Sequence, residues 1–438
     1  MSELTKHRFS ELYSMSSGIS SSKDQAGHGS PFLSFSIVFN NYFVPDELLD
    51  LMDTSEKEKE KYSIKQGDIF LTRTSEVVDE LAMSCVAIKD YADTSFSGFL
   101  KRLRPTQDNI TYPKFMAFYL RSPMFRRTMT NNAVMTLRAS LNEAIFSYLE
   151  LLLPKYDEQV KVGELLYLLS EKTDLNDRIN TELEAVVKNL YEYWFVQFDF
   201  PDANGKPYKS SGGTMQYNKR LKREVPSGWA DANLGEYITL ERGVTYGRPD
   251  VLDQNGDEAL GVLRATNLTG NFVDVENLVY LPKSIVNASQ RLKHFDTLMV
   301  MSSGSKEHVG KNGIYFFREQ VGFGAFCSKI VPKNQTTFFI NSFLQSKWFK
   351  TYIRNQCLGT NINNLTGNHI IGCDIVSPPP KLIQTFESRV RPIFEQISAN
   401  RQENQSLTSL RDWLLPMLMN GQVTVTSPSQ TKDQAADA

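Results

Sequence analysis

Cysteine is scarce in this sequence: four in 438 residues (Cys85, Cys327, Cys357 and Cys373), with no C-x-x-C pair. That excludes a disulfide framework and a thiolate zinc site, and a reducing cytoplasm is the expected compartment. Long hydrophobic runs are missing too; none approaches the roughly 18–20 apolar residues a membrane span needs. The opening Met1-Ser-Glu-Leu-Thr-Lys lacks the apolar stretch of a secretory signal, so no export is expected. Catalytic signatures are equally absent. The histidines (His7, His28, His294, His308, His369) show no metal-ligand spacing, and neither G-x-S-x-G nor H-E-x-x-H occurs. Gly304-Ser-Lys-Glu-His-Val-Gly310-Lys311 places five residues between its glycines where a phosphate-binding loop has four, and Asn312 stands where Ser or Thr would hold Mg²⁺. Ser377-Pro-Pro-Pro380 lacks the Asn/Asp and the final aromatic of an N-P-P-Y motif. No catalysis and no bound metal or cofactor are expected of this chain.

An excess of one charge is also lacking. Lys and Arg number 48 against 50 Asp and Glu, a net charge of −2, which argues against a protein that coats nucleic acid. The charge is unevenly divided, however. From Phe99 to Arg138 lie Lys101, Arg102, Arg104, Lys114, Arg121, Arg126, Arg127 and Arg138, opposed only by Asp108. From Met299 to Arg354 lie Lys306, Lys311, Arg318, Lys329, Lys333, Lys347, Lys350 and Arg354, opposed by Glu307 and Glu319. Such patches are either solvated faces or sites that neutralise phosphates. By contrast, Glu150 to Asp199 holds eleven acids against five bases.

What is present is a repeat with a period of roughly 225 residues, which implies duplicated domains. Gly18-Ile19-Ser20 is answered by Gly243-Val244-Thr245, Phe99 and Pro105 by Phe326 and Pro332, Ser122 and Phe125 by Ser346 and Phe349, and Pro154 and Gln159 by Pro379 and Gln384. Each half opens with short β-type runs (Asp68–Arg73, Ala82–Ile88; Thr297–Met301, Gly313–Phe317, Phe326–Val331) and helical stretches near Pro113–Thr130 and Ile340–Asn355. Each half then enters a long amphipathic helix, ~40 residues or about 60 Å. Leu168, Leu175, Ile179, Leu183, Val186 and Leu190 form the expected packing stripe of the first; Phe386, Val390, Ile393, Ile397, Leu407 and Leu414 form that of the second. Asn400 and Asn404 fall on the second stripe, where polar residues set register. Pro392 is expected to kink that helix or delay its start. The two helices either pack on one another or serve separate domains.

Candidate readers of base edges sit in Gly/Ser/Asn loops: Ser303, Ser305, Lys306 and Lys311; Thr360, Asn361, Asn363 and Asn364; Arg264 and Asn267 in VLRATNL; Tyr246 and Arg248 in TYGRPD. Arg suits guanine O6/N7 and Asn suits adenine N6/N7, although Asn and Gly also simply make turns.

These features together resemble the specificity subunit of type I restriction–modification systems. The likeness rests on Ser303-Gly-Ser-Lys306 with Val309-Gly-Lys311, Gly359-Thr-Asn-Ile362 with Asn364-Leu365, and Pro378-Pro-Pro380. It rests further on Leu190-Tyr-Glu-Tyr-Trp-Phe-Val-Gln-Phe-Asp-Phe-Pro201 and Leu410-Arg-Asp-Trp-Leu-Leu-Pro-Met-Leu-Met-Asn-Gly421. The first half departs from the pattern, with Arg73-Thr-Ser-Glu-Val in place of the S-G-S-K loop and Leu137-Arg-Ala-Ser140 in place of G-T-N-I; its candidate contacts are Arg73, Lys101, Arg102 and Arg138.

The resemblance implies an α+β fold: two duplicated α/β target-recognition domains (1–153 and 226–379) joined by two long antiparallel, coiled-coil-like helical spacers (154–198 and 380–422). A linker is expected at 199–225 and a disordered tail at 423–438. It also implies a non-catalytic reader of a bipartite site in double-stranded DNA, holding two methyltransferase subunits and ATP-driven restriction subunits. S-adenosylmethionine, ATP and Mg²⁺ would belong to those partners. The competing expectation is a duplicated protein-interaction adaptor without sequence-specific DNA binding.

Overall fold

The computed structural model describes residues 3–75, 80–132, 134–135, 139–140, 147–253, 256–356 and 363–425. The chain divides into two compact units, one of Met1–Thr173 with Ser406–Ala438, the other of Asp174–Gln405.

Each unit is built on the same four-stranded antiparallel sheet. In the first, β1 (Tyr13–Ser17), β2 (Ile69–Thr72), β3 (Ser84–Val86) and β4 (Leu100–Pro105) lie in the order β1-β4-β2-β3. In the second, β5 (Ile238–Arg242), β6 (Thr297–Val300), β7 (Asn312–Ile314) and β8 (Cys327–Pro332) lie in the order β5-β8-β6-β7. Even the registers correspond: Tyr13 faces Pro105 and Ile238 faces Pro332; Thr72 faces Leu100 and Val300 faces Cys327. β2 and β6 are buried at every position, as central strands covered on both faces must be.

A glycine corner follows the first strand in both copies. A Cβ on Gly18 would lie 2.3 Å from the Phe96 carbonyl oxygen, and one on Gly243 would lie 2.2 Å from that of Gly324. Only glycine permits this backbone approach, which lets Ile19 and Val244 make parallel bridges to Ser97 and Gly324.

The helical stretches that follow are broken in two. Pro113–Tyr119 is followed by Pro123–Asn132, and Thr337–Gln345 by Lys347–Gln356. The repeated serines make the break: Ser122 Oγ accepts the N–H of Phe125 at 3.3 Å, and Ser346 Oγ that of Phe349 at 3.2 Å, capping each second helix. Both phenylalanines are buried.

The first long helix spans Tyr156–Tyr191 and closes in a π-turn, Glu192–Val196, that buries Trp194 and Phe195. The second spans Pro380–Met419 and runs without interruption through Pro392 and Pro416. The expected delay at Pro392 does not occur. Val390, Phe394 and Ile397 around it are buried, and packing of that extent outweighs the roughly 3 kcal/mol a proline costs a helix.

The first helix turns a different stripe inward from the expected one. Val162, Leu166, Asn176, Asn180, Val187 and Tyr191 are buried, whereas Leu168, Leu175, Ile179 and Val186 are 59%, 43%, 39% and 51% exposed. Leu183 and Leu190 are half-buried against the second unit's core. Apolar residues fall on both faces of this helix, so periodicity alone could not choose the inward one. On the second helix, Phe386, Val390 and Ile397 are fully buried, and Leu407 and Leu414 half-buried.

Within the second unit the helices run antiparallel and are keyed by a polar ladder. Asn400 Nδ2 donates to Asn180 Oδ1 at 2.9 Å, Asn176 Nδ2 to Asn404 Oδ1 at 2.8 Å, and Arg401 to Glu184 at 3.0 Å. Asn400→Ala should therefore cost about 1–3 kcal/mol, because Asn180 stays buried without its partner. Changing both Asn180 and Asn400 to Leu should be near neutral or stabilising. Urea unfolding of the single and double variants checks this; a double variant weaker than the single one would refute it.

Residues 199–225, expected as a linker, are ordered instead. Met215–Asn218 pairs antiparallel with Arg223–Pro226, and Val225 is fully buried. Phe200 stacks between Tyr208 at 4.7 Å and Trp229 at 5.1 Å. The few apolar residues of this stretch are the ones that pack, and its Gly, Ser and Lys content conceals them. Residues 426–438 of the expected tail lie outside the described residues.

Candidate nucleic-acid interface

In the second unit a cleft of about 550 Å³ opens where β5 ends and β8 begins, lined by Arg242, Ser302, Phe326, Ser328, Asn364 and Gly367 among others. Its wall is a two-stranded ribbon in which Ser302 pairs with Asn364 and Ser303 with Asn363. The fold thus brings together the two Gly/Ser/Asn loops that the sequence singles out some 60 residues apart. Lys306 and Asn364 are exposed and Lys311 is half-buried. Ser305 is held by the loop: its Oγ donates to the Glu307 carboxylate at 2.6 Å, which keeps that carboxyl below the usual range.

The remaining candidates of this unit part ways. Tyr246 packs beside Gly324, near the cleft, and Arg248 is exposed in the following turn. Arg264 is exposed, with one guanidinium nitrogen donating to the Asn277 carbonyl at 3.0 Å. Asn267 is buried and structural: its Oδ1 accepts the Arg264 N–H at 2.8 Å and its Nδ2 donates to the Glu276 carbonyl at 2.7 Å. An amide engaged in this way cannot read adenine. Thr360 and Asn361 lie outside the described residues, as does Arg138 in the first half.

In the first unit the equivalent ribbon pairs Thr74 with Ser140 and Ser75 with Ala139. Arg73 is exposed beside it, and Lys101 Nζ donates to Ser17 Oγ at 2.8 Å. Arg102 is buried and donates to the Ser63 carbonyl at 2.7 Å; burial holds its guanidinium below its ordinary pKa. It is a structural cation, not a DNA contact. Lys329, its counterpart in β8, is likewise buried and pairs with Glu241 at 2.7 Å.

The first basic patch shrinks accordingly. Arg104 is bound to Asp68 at 2.6 Å, Lys114 to Glu164 at 3.0 Å, and Arg121 to four backbone carbonyls. Runs of basic residues do not distinguish cations spent inside a fold from cations offered to a ligand. In the second unit Lys306, Arg318, Lys347, Lys350 and Arg354 are exposed. Arg242, on the cleft wall, was missed by sequence reasoning; its place directly before the Gly243 corner was the available signal.

Burial pushes the Cys85 and Cys327 thiols up to about 12, which makes them inert. Among the described residues no group of three or more His, Cys, Asp or Glu could hold a metal ion. Among the described residues no helix is long and apolar enough to cross a membrane.

Comparison with known proteins fits this geometry. Residues 10–185 match the type I restriction modification DNA specificity domain. The chain is 30% identical over 206 residues to the EcoKI specificity subunit of Escherichia coli, a stretch covering 46% of this chain and 44% of that protein. It spans, in other words, less than half the length of that relative. It is 24% identical to the HindI specificity subunit of Haemophilus influenzae, across 90% of this chain and 94% of that one. Among solved structures, the type I restriction–modification S subunit of M. genitalium covers 95% of this chain and shares its fold, with a TM-score of 0.57 at 14% identity. The chain is therefore similar to the type I restriction enzyme specificity subunits, and its residues 10–185 match the model of their DNA specificity domain.

Proposed function

We propose that this chain is the DNA-reading, non-catalytic subunit of a type I restriction–modification enzyme, each unit reading one half of a bipartite site in double-stranded DNA. The observation that carries this is the duplication itself: two sheets of identical order and register, each flanked by a short antiparallel ribbon made from the corresponding loops, and in the second a cleft carrying Arg, Ser and Asn. Arg and Asn at such a cleft have the donor pattern that discriminates base edges, and duplicated readers suit half-sites.

The long helices would serve as spacers and hold two methyltransferase subunits, which bring S-adenosylmethionine; restriction subunits would bring ATP and Mg²⁺. The exposed Leu168, Leu175, Ile179 and Val186 on the first helix support a protein partner along that face. The adaptor reading accounts for those exposed residues but leaves the repeated ribbons, and the cleft beside the second, without a purpose.

Exchanging residues 226–380 for the corresponding segment of a relative tests the proposal. One half of the methylated site should change and the other persist, read by mapping methylated adenines; unchanged specificity would sink it.

A further inference from the structure

A Phe-x-x-Phe pattern recurs in the two units, Phe96 to Phe99 and Phe323 to Phe326. In both, the first ring is fully buried in its unit's core, whereas the second leaves 67% of its surface exposed. An exposed phenylalanine contributes nothing to either core, and one such residue is unremarkable. Two at the same position of a duplicated sheet, with the same exposure, require a common explanation.

The backbone beneath each ring is pinned in the same way. Phe99 directly precedes β4 and Phe326 directly precedes β8. The turn is closed by Leu100 N–H to Ser97 O at 2.9 Å, and by Cys327 N–H to Gly324 O at 2.9 Å. The residue before each ring bonds the corner: Gly98 N–H donates to Ile19 O, and Ala325 N–H to Val244 O. The ring residue's own carbonyl accepts a bond from the strand beside it, from Arg73 N–H at 2.9 Å and from Met301 N–H at 2.8 Å. Each ring therefore stands on a rigid pedestal, and no ring partner is present for either among the described residues. Around Phe326 stand Arg242, Ser302 and Asn364; beside Phe99 stand Arg73 and Lys101.

We infer that Phe99 and Phe326 are apolar wedges, one per unit, each of which enters the DNA at a base step of its half-site and stacks there. The inference rests on the DNA-reading role proposed above. A ring two-thirds exposed is suited to stacking between bases, whereas contact with a thymine methyl group would use only an edge. Pedestal rigidity lowers the entropy lost on insertion. The flanking cations and hydroxyls would hold phosphates and base edges on either side of the opened step.

The test uses the full chain co-expressed with its methyltransferase subunit, and duplexes carrying the site defined by methylated-adenine mapping, with 2-aminopurine placed at each step in turn. Wild type should brighten 2-aminopurine at one step in each half-site. Phe326→Ala should abolish the signal in one half only, and Phe99→Ala in the other, with affinity falling about 5- to 150-fold. Phe326→Trp should restore both readouts. Thermal melting should not move in any variant, because neither ring is part of a core.

Unchanged affinity and fluorescence in the alanine variants overturn the inference. So does weakened binding when wild type shows no 2-aminopurine rise, and so does retained DNA affinity with loss of the methyltransferase subunit, which would place the rings in a protein interface. Failure of wild type to bind its own site overturns the DNA-reading role itself, a result distinct from the others.

Discussion

Replacing Arg121 by alanine should lower the stability of the first unit by about 3–5 kcal/mol while leaving the sequence it reads unchanged. The guanidinium donates to the carbonyls of Ser84 at 2.7 Å, Val38 at 2.8 Å, and Phe39 and Asn41 at 2.9 Å. It also lies 4.8 Å over the Tyr42 ring. Among the described residues no carboxylate pairs with it; backbone dipoles face it instead, and together they tie the helix Phe35–Asn40 to β3. Removing it strands several carbonyls at once. Lysine should recover only part of the loss, since a single ammonium cannot reproduce the planar fork. For a unit of this size the melting temperature should fall by roughly 6–20 °C. A variant that melts like wild type but binds DNA poorly would return Arg121 to the DNA-facing cations and refute the structural assignment.

The second large effect is a pH dependence centred on Glu387. Its carboxylate caps the helix Thr337–Gln345, accepting the N–H groups of Phe338 at 2.7 Å and Phe339 at 2.8 Å. Burial nevertheless dominates and pushes its carboxyl up to about 7, against those two hydrogen bonds and nearby Arg391, which pull it down. Its second oxygen is buried without a hydrogen-bond partner. In the unfolded chain the group should titrate near its ordinary value of 4.5. Between those values the folded state holds a proton that the unfolded state has released. This contribution therefore favours folding most below about pH 4.5, is lost as pH rises to about 7, and stays lost above it. A shift of that size corresponds to about 3 kcal/mol between the two limits. Urea unfolding of the second unit at pH 5 and pH 8.5 should show most of that fall in wild type and little of it in Glu387→Gln. Equal pH dependence in the two proteins would exclude Glu387 as the cause.

Much of this fold was legible in the residues. The duplication could be read because the sheet's geometry demands particular residues at fixed places: glycine at 18 and 243, where a carbonyl takes the space of a side chain, and serine at 122 and 346, where a helix needs a cap. Asn400 could be recognised as a register residue because an amide on an apolar stripe has few other uses. What escaped was whatever depends on tertiary partners. The inward face of the first long helix is fixed by what covers it, and Leu168 and Leu166 are equally apolar in sequence though only Leu166 is buried.

The candidate interface was legible to a lesser degree. The two loops that form the ribbon could be found, but not the fate of each side chain in them. Asn267 and Arg102 have the right chemistry for base readers, yet their donors and acceptors are consumed by nearby carbonyls. Phe99 and Phe326 were visible as a matched pair, but only solvent exposure separates them from Phe96 and Phe323.

The division of the chain also has a consequence for synthesis. The second unit is one uninterrupted stretch, Asp174–Gln405, whereas the first needs Ser406 onward. Leu415, Leu418 and Met419 are buried in the same core as Phe115, Leu151 and Leu166. A chain emerging from the ribosome can therefore complete the second unit while the first still exposes an unfilled apolar seam, so the part made first is finished last. Premature termination near residue 405 should then leave an intact second unit attached to an unclosed first one, a species prone to aggregate or to be degraded.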